Sequence, residues 1–416
     1  MRLRHPSGTP LHLGYCTNVH PAEDVAGIVA QLDAYAVPIR DRLDAGVLGL
    51  GLWLAAPAAA ELAAGPAALR RLRGELDARG LEVVTLNGFP YAAFQDPVVK
   101  HAVYRPDWTT RERLAYTLDL ARVLAGLLPG DAARGSISTL PLGWRDPWDA
   151  AMADAAARHL DELAAGLAEV EAATGRTIRV GFEPEPGCVV ETTEQAVAHL
   201  SRADTERLGV CLDLAHLACA WEQPAAALKA LAAAGLPIVK VQLSAALETA
   251  EPQALREYAE PRFLHQTRTR AGEQADDLDE ALARGLPGTW RVHYHVPLHA
   301  APAAPLATTA PVLRDALAEL VGGPQPLCDH FDVETYTWNV LPAALRPGTP
   351  RRAGRGHRGG AGLRPYADAR GRSDGMTSLL VLDVVGLTPG CWPTCRACAP
   401  SVSAGSRPGS APCCRP

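Results

Sequence analysis

Polar side chains end four apolar runs between residues 177 and 335. These side chains are Glu183, Asp213, Gln242 and Glu334. A carboxylate at the end of a buried run is costly unless a charge partner or a cation compensates it, and the neighbouring sequence offers the three carboxylates no obvious Lys or Arg partner. Carboxylate and amide oxygens suit Mg²⁺, Mn²⁺, Co²⁺ or Zn²⁺. The four positions together therefore predict a divalent-metal site.

Histidines add nitrogen donors to this set. His293 and His295 are two residues apart in an apolar run, so on a strand both would face the same side. His216 lies three residues after Asp213. Taken singly, such residues have simpler interpretations, because an Asp at a strand end often caps the next helix and a lone His often packs as a hydrogen-bonded core residue. Four polar strand ends on successive runs favour the metal site.

The apolar runs alternate with longer amphipathic segments from residue 11 to about 340, which predicts alternating strands and helices. Eight or nine strands, nearly all separated by a helix, predict a closed (β/α)8 TIM barrel, with the run 291–297 in an elaborated loop after strand seven. No Gly-x-Gly-x-x-Gly follows the first strand, which disfavours a dinucleotide-binding fold. The predicted strands are 11–18, 47–54, 82–89, 135–143, 177–186, 208–216, 238–244, 291–297 and 330–335, and the predicted helices are roughly 22–43, 67–79, 109–128, 147–173, 192–203, 224–234, 275–284 and 308–321.

Residues that favour helix ends support these boundaries. Thr109 and Thr192 each precede an acidic first turn and are predicted N-caps. Gly175, Gly235 and Gly322 follow helix ends, where a left-handed residue is favoured. Because the carboxyl ends of barrel strands form one mouth, this architecture would bring the four polar strand ends together.

The composition is typical of a globular protein, with 48% hydrophobic and 21% charged residues among 416. The most apolar uncharged stretch, 45–60, is interrupted by Pro57 and is shorter than the roughly 20 residues that cross a bilayer. No apolar segment follows the charged N-terminus, so we predict neither a membrane span nor a secretory signal. Five scattered cysteines in or near apolar runs indicate reduced core thiols, which predicts a cytoplasmic protein.

Charge and composition change near residue 346. Residues 351–416 hold ten Arg, three Asp and neither Lys nor Glu, a net charge of +7, which leaves −13 for residues 1–350 in a chain of net charge −6. An acidic body is a poor match for a phosphate backbone, so nucleic-acid binding is disfavoured. We predict two parts: a barrel over 1–345, and a disordered low-complexity tail rich in Arg, Gly, Pro and Cys over 346–416.

Other interpretations of the tail stay open. Its composition is also typical of frameshifted read-through of GC-rich DNA, and residues 376–389 resemble the opening strand of an alkaline-phosphatase-superfamily protein, with Asp383 at the position of a metal ligand. A fused, truncated start of a neighbouring gene is the preferred explanation. A zinc site around Cys395-x-x-Cys398 is disfavoured, because four ligands at regular spacing are missing.

Several motifs carry a resemblance to known proteins. Glu183-Pro after an apolar strand, the segment Cys211-Leu-Asp-Leu-Ala-His216 and a terminal strand with Glu334 resemble the xylose-isomerase-like TIM-barrel superfamily, which includes sugar isomerases, ketose 3-epimerases and endonuclease IV. Over residues 10–345 the chain is similar more specifically to the EboE family, which is linked to metabolite traffic. The motifs behind this similarity are HLGYCTNVH at 12–20, FEPEPGC at 182–188, VQLS at 241–244, HYHVP at 293–297 and VETYTW at 333–338.

The resemblance implies a ligand set for the metal. Glu183, Asp213, Glu334 and one residue of strand seven would hold the cation, with His216 close by. Sugar epimerases present a His on strand seven, where this chain has Gln242. Either Gln242 coordinates through its amide oxygen, or His295 supplies the nitrogen ligand.

The resemblance also implies a reaction, the isomerisation or epimerisation of a small sugar or polyol, or its phosphate. The divalent cation would polarise a carbonyl, and Glu183 and Glu334 would act as base and acid through an enediolate, with His216 as a third catalytic residue. The predicted substrate contacts are Asn18, Asn87, Trp108, Glu185, His265 and His293.

Two alternatives to this enzyme stay open. The first is a non-catalytic metabolite-binding or traffic protein that acts with partners from its gene cluster, since a binding pocket and an active site keep similar side chains. The second is an endonuclease IV-like phosphodiester hydrolase, which is disfavoured because such a site needs more His and Asp ligands and a basic rim.

Overall fold

The structure, a computed structural model, describes residues 1–43, 45–298 and 300–343. The predictions for the tail, 346–416, therefore lie outside the described residues. Within the described part, no helix is both long and apolar enough to span a membrane.

Eight parallel strands form the centre of the molecule. Each strand pairs with the next along the chain, and β1 pairs with both β2 and β8, so the sheet closes on itself. This closure confirms the predicted (β/α)8 TIM barrel. The strands are β1 (Pro10–Cys16), β2 (Leu48–Trp53), β3 (Leu81–Asn87), β4 (Gly135–Thr139), β5 (Ile178–Phe182), β6 (Leu208–Asp213), β7 (Ile238–Leu243) and β8 (His330–Val333).

Helices connect the strands and cover the barrel, as the amphipathic segments predict. The α-helices are Val25–Gln31, Val37–Arg42, Ala56–Ala64, Pro66–Ala78, Arg111–Leu127, Ala150–Thr174, Thr193–Leu200, Leu214–Cys219, Pro224–Ala233, Leu278–Arg284 and Ala310–Val321. Shorter turns of other helix types are the π-helix Leu32–Ala36 and the 3₁₀ segments Lys100–Tyr104, Pro252–Tyr258 and Thr337–Asn339. Helices Ala56–Ala64 and Leu214–Cys219 were not predicted.

Most of the predicted helix ends are confirmed. Thr192 caps its helix in a reciprocal capping box with Gln195, and Gly175 and Gly235 adopt positive φ angles of 67° and 66°. Two predictions are wrong. The N-cap of helix Arg111–Leu127 is Thr110 rather than Thr109. Gly322 has φ −83°, because its helix ends in a right-handed turn.

A second, antiparallel sheet lies between β7 and β8. Its strands are Leu247–Thr249, Thr267–Thr269, Gln274–Ala275, Trp290–Val292 and Ala307–Thr308. The run 291–297 therefore does belong to an elaborated connection after strand seven. Its strand ends at Val292, however, so His293 and His295 lie in the following loop rather than on a strand as predicted.

The barrel interior contains a buried ion pair, Lys240 on β7 and Asp332 on β8, with Nζ 3.3 Å from Oδ2 and both side chains fully buried. Gly14 and Gly51 on the adjoining strands leave space for this carboxylate, since a Cβ at Gly51 would overlap it. The pair therefore fixes a charged layer inside the barrel that the strand pattern did not predict.

Candidate functional site

The four polar strand ends converge at the carboxyl end of the barrel, as predicted from the fold. Glu183 follows β5, Asp213 ends β6, Gln242 lies near the end of β7 and Glu334 follows β8. All four are at most 5% exposed. Each strand points its last polar side chain toward one mouth because the strands are parallel.

Asp213 has a divided role. Its Oδ1 accepts hydrogen bonds from the backbone N–H groups of Ala215 (2.8 Å) and His216 (2.9 Å) and from the hydroxyl of Ser244 (2.8 Å), so this oxygen caps helix Leu214–Cys219. Its Oδ2 is buried and has no hydrogen-bond partner among the described residues. His295 Nε2 lies 3.9 Å from this oxygen. The capping interaction therefore uses one oxygen of the carboxylate and leaves the other, Oδ2, available for a ligand.

Glu334 is held by amide groups on both sides. Its Oε1 accepts from Asn18 and from Asn87 (3.0 Å), and its Oε2 accepts from the amide of Gln242. The amide oxygen of Gln242 accepts from the Cys211 thiol at 2.9 Å, so it faces away from Glu334. In this geometry Gln242 orients Glu334 and does not offer an oxygen to a shared ligand.

Glu183, Glu185 and His216 form a second group beside the first. His216 Nε2 lies 3.1 Å from Glu185 Oε2, and His216 Nδ1 lies 3.7 Å from Glu183 Oε1. The hydroxyl of Tyr104 donates to the other oxygen of Glu185 at 2.8 Å. Glu183 Oε2 is buried without a hydrogen-bond partner among the described residues.

Two histidines of the site face each other through the same ring atom. His216 Nδ1 lies 2.8 Å from the carbonyl of Pro184, which can only accept, so this nitrogen carries a proton. The Gln266 amide nitrogen donates to the carbonyl of Pro186, so its oxygen accepts from His293 Nδ1 at 2.8 Å. The two Nε2 atoms are 2.9 Å apart, and if both rings are neutral, both present lone pairs. This contact requires a shared proton or a cation beside it.

The donor atoms of the site fit a divalent cation. Glu183 Oε2, Asp213 Oδ2 and His295 Nε2 are buried in the described structure without hydrogen-bond partners, and such atoms are unfavourable unless they bind something. Three sets of ligand atoms lie within 4.8 Å of one another: His216, His293 and His295; Glu183, Glu185 and His216; and Asp213, His295 and Glu334. Mixed oxygen and imidazole donors suit Zn²⁺, Mn²⁺ or Co²⁺, and the carboxylates also suit Mg²⁺.

Burial and like charges shift the acid–base equilibria of these groups. Burial, followed by the charges of Glu334 and Asp213, raises the pKa of Glu183 well above its usual value. Burial and the Asp213 charge raise the pKa of Glu334 to about 8, and burial raises that of Glu185 to about 7. Burial lowers the pKa of His295 to about 4. Without a cation, the site therefore retains protons on carboxylates at neutral pH.

An apolar wall covers the polar floor. It consists of Phe89, Phe94, Val103, Phe263, Leu264 and Tyr336, which line the same pocket as Glu183, His216 and Glu334. Two chain segments, one with Lys100 and one with Phe263, border this pocket, and we call them its rim. They are joined to each other, because the backbone N–H groups of Val99 and Lys100 both donate to the carbonyl of Arg262 at 2.8 Å. The pocket therefore combines a polar floor with an apolar wall.

The structure does not bring every predicted substrate contact to the pocket. Asn18, Glu185 and His293 line it. Asn87 lies behind Glu334, to which it donates. Trp108 is fully buried with its indole N–H on the carbonyl of Leu140 (2.9 Å), and His265 lies between the carbonyl of His293 and Glu260, so neither is a lining residue.

Sequence reasoning also missed residues that the site uses. Tyr104 and Gln266 hold Glu185 and His293. Tyr104 ends the short 3₁₀ segment Lys100–Tyr104 and Gln266 lies in a loop, and neither segment has a distinctive sequence pattern. The Lys240–Asp332 pair lies below the floor. Asp332 was detectable in principle, because it is two residues before Glu334 and so faces the same side of β8.

Comparison with known proteins places this barrel in a family. Residues 41–265 match the xylose isomerase-like TIM barrel family, and the chain belongs to it. No curated protein sequence matches the chain.

Similar solved structures include a xylose isomerase-like TIM barrel protein from Mycobacterium smegmatis in complex with magnesium, which is 14% identical with a TM-score of 0.47 over 78% of this chain and 90% of that one. An L-ribulose 3-epimerase is 12% identical with a TM-score of 0.43 over 80% and 83% of the two chains. The IolI protein with a bound zinc atom is 13% identical with a TM-score of 0.41 over 81% and 90%.

Proposed function

We propose that this protein is a metal-dependent isomerase or epimerase of a small sugar or polyol. The observation that carries the proposal is a set of buried acceptor atoms without partners among the described residues, Glu183 Oε2, Asp213 Oδ2 and His295 Nε2, at one barrel mouth. Asp213, His295 and Glu334 would hold the cation, with Glu183 as a further ligand on the adjoining group. His295 replaces Gln242 in this set, because the Gln242 oxygen faces Cys211.

The two glutamates supply the proton transfer. A bound divalent cation would polarise the substrate carbonyl and so acidify the neighbouring C–H group. Glu183 and Glu334 follow strands β5 and β8, and each holds a proton more tightly than an ordinary carboxyl group. One removes the proton and the other returns it, through an enediolate of the substrate. His216, beside Glu183 and Glu185, holds a proton within the same network.

Metal analysis tests the site. We expect the purified wild-type protein, loaded and then dialysed, to retain a divalent cation, and its Glu334→Gln variant to retain much less. Glu319→Gln is the control, because Glu319 is exposed on helix Ala310–Val321. Equal metal content in wild type and Glu334→Gln would refute the ligand set.

Solvent deuterium exchange tests the reaction. The metal-loaded protein should introduce deuterium from solvent at the carbon beside the carbonyl of a ketose. If ketoses raise the melting temperature and no deuterium enters, the protein binds its ligand without turning it over. That outcome would favour the alternative, a metabolite-binding or traffic protein of the EboE type that acts with gene-cluster partners.

A phosphodiester hydrolase is the weaker candidate. Three carboxylates, Glu183, Glu185 and Glu334, line the pocket, and they repel a nucleic-acid backbone.

The proposed cytoplasmic location is supported by five cysteines of the described part, all buried as free thiols: Cys16, Cys188, Cys211, Cys219 and Cys328.

A further inference from the structure

We infer that the substrate of this pocket is an uncharged, unphosphorylated hydroxy-carbonyl compound whose far end is apolar. The inference rests on the proposed function for the position of the reacting carbons, and on the pocket itself for the remainder of the ligand. It decides between the sugars and the sugar phosphates that the reaction class leaves open.

The single Lys or Arg that lines the pocket in the described structure is already neutralised. Lys100 Nζ lies on the rim and donates to the Asp277 carboxylate and, at 3.2 Å, to the carbonyl of Glu260. Asp277 Oδ1 also accepts from the backbone N–H of His265 and caps helix Leu278–Arg284, so this ion pair ties the rim together. A phosphate group would have to break it to gain a cation.

The charge of the lining opposes a phosphate. Glu183, Glu185 and Glu334 line the cavity. One divalent cation brings two positive charges to the three carboxyl groups of the lining and to the proposed ligand Asp213, so even the loaded site offers a phosphate no excess of positive charge. A phosphate dianion in such a low-dielectric pocket would be repelled and poorly solvated.

The apolar wall of the pocket is packed in place before any ligand binds. Phe94, Phe263 and Tyr336 pack on one another, with ring centroids 5.2 Å (Phe94–Phe263), 5.4 Å (Phe94–Tyr336) and 4.9 Å (Phe263–Tyr336) apart. Phe89, Val103 and Leu264 extend this surface. The wall contributes packing and no hydrogen bonds to a terminal hydroxyl, except through the Tyr336 hydroxyl, which lies 3.3 Å from His293 Nε2. A methyl or other apolar end suits this wall better than a polar end.

A matched series of ligands tests the inference on the full-length, metal-loaded protein. The series is a ketohexose, its 6-deoxy analogue and its 6-phosphate, which share the reacting carbons and differ at the far end. Binding is measured by calorimetry and by the shift in melting temperature at fixed ionic strength. We expect the 6-deoxy sugar to bind at least as tightly as the ketohexose, and the 6-phosphate to bind at least about tenfold more weakly.

A variant in the apolar wall adds a second test. Phe263→Lys places an unpaired ammonium group in the wall and should reduce the difference in affinity between the ketohexose and its 6-phosphate. The control Phe263→Leu, which adds no charge, should leave that difference unchanged. Equal or tighter binding of the 6-phosphate by the wild-type protein, or binding of none of the three, would overturn the inference. Deuterium exchange is scored separately: the expected binding order without exchange keeps the inference and refutes the proposed reaction.

Discussion

His216 and His293 meet nitrogen to nitrogen, with their Nε2 atoms 2.9 Å apart and each Nδ1 placed to donate a hydrogen bond elsewhere. Such a contact is unfavourable between two neutral rings, because two lone pairs then face each other. It becomes favourable when a proton or a metal ion lies between or beside them. His295 completes a three-imidazole set with these two rings.

The three-imidazole set offers nitrogen donors beside the proposed ligands Asp213, His295 and Glu334, and we therefore predict that Zn²⁺ binding depends on His293 as an additional ligand. His293→Gln removes an imidazole nitrogen while Asp213, His295 and Glu334 remain, so Zn²⁺ affinity should fall on the order of 10- to 100-fold, and Mg²⁺ affinity much less. Calorimetric titration of both ions measures the difference. His199→Gln, on an exposed histidine, is the control. Unchanged Zn²⁺ affinity in His293→Gln would exclude this histidine as a ligand.

The stability of the metal-free protein should fall as the pH rises from 6.5 to 8. Glu334, with a pKa of about 8, and Glu185, at about 7, bind protons in the folded state that the unfolded chain has already released, so their stabilisation is lost over this range. His295 acts oppositely, but only between about pH 4 and 6.5. We expect the free energy of unfolding to drop by about 1 kcal/mol per pH unit.

Urea unfolding at a series of pH values measures this slope. Adding a divalent cation should stabilise the protein more at pH 8 than at pH 6.5, because binding displaces the retained protons. Metal-free stability that stays constant or rises across the range would show that the carboxyl groups are ionised in the absence of metal.

Glu183→Gln should strongly slow proton transfer and leave the fold intact. The amide is nearly isosteric but cannot take up a proton, so solvent deuterium exchange should slow by about 10²- to 10⁴-fold. Exchange into a ketose, followed by NMR, measures the rate, and the ligand-induced shift in melting temperature reports binding. The exposed Glu319→Gln variant should behave as wild type. Exchange at the wild-type rate in Glu183→Gln would rule out its role as base or acid.

Gly51→Ala should destabilise the barrel by about 3–5 kcal/mol, because the added Cβ overlaps the Asp332 carboxylate and breaks its buried pair with Lys240. Gly74→Ala is the matched control. Gly74 lies exposed on helix Pro66–Ala78 with nothing within 4 Å of a new Cβ, so this change should stabilise the helix by about 0.5–1 kcal/mol. Equal effects of the two substitutions in urea unfolding would contradict the role of the pair.

Removal of residues 351–416 should leave the melting temperature unchanged. The barrel closes at β8, and the contacts that close it lie within the described residues. Differential scanning calorimetry of the full chain and of 1–350 compares the two. A melting temperature lower by about 5 °C or more in the shorter protein would show that the tail stabilises the barrel.

The sequence predicted the barrel because its strands are continuous apolar runs, and parallel order then dictated where their polar ends meet. For this reason the position of Asp213 and Glu334 at the carboxyl end of the barrel could be predicted. Residues that reach the site from loops were harder to predict. His293 and His295 were assigned to a strand because their alternation is typical of one, whereas the chain leaves the strand at Val292.

Position alone was a poor guide to substrate contacts. Trp108 was proposed on that basis, and the structure buries its ring against Phe182, with centroids 5.3 Å apart. Lys240, by contrast, was overlooked, because its pairing with Asp332 depends on the register between β7 and β8. Register between strands is a tertiary property, and local patterns do not specify it.

The two oxygens of Asp213 have a consequence for reading relatives of this protein. Because Oδ1 caps helix Leu214–Cys219 whether or not Oδ2 binds anything, selection on folding alone would preserve an aspartate here. Conservation of this residue in a homologue is therefore no marker of catalysis. A homologue that keeps Asp213 but replaces His295 and Glu334 would retain the barrel fold and the helix cap without the proposed metal site.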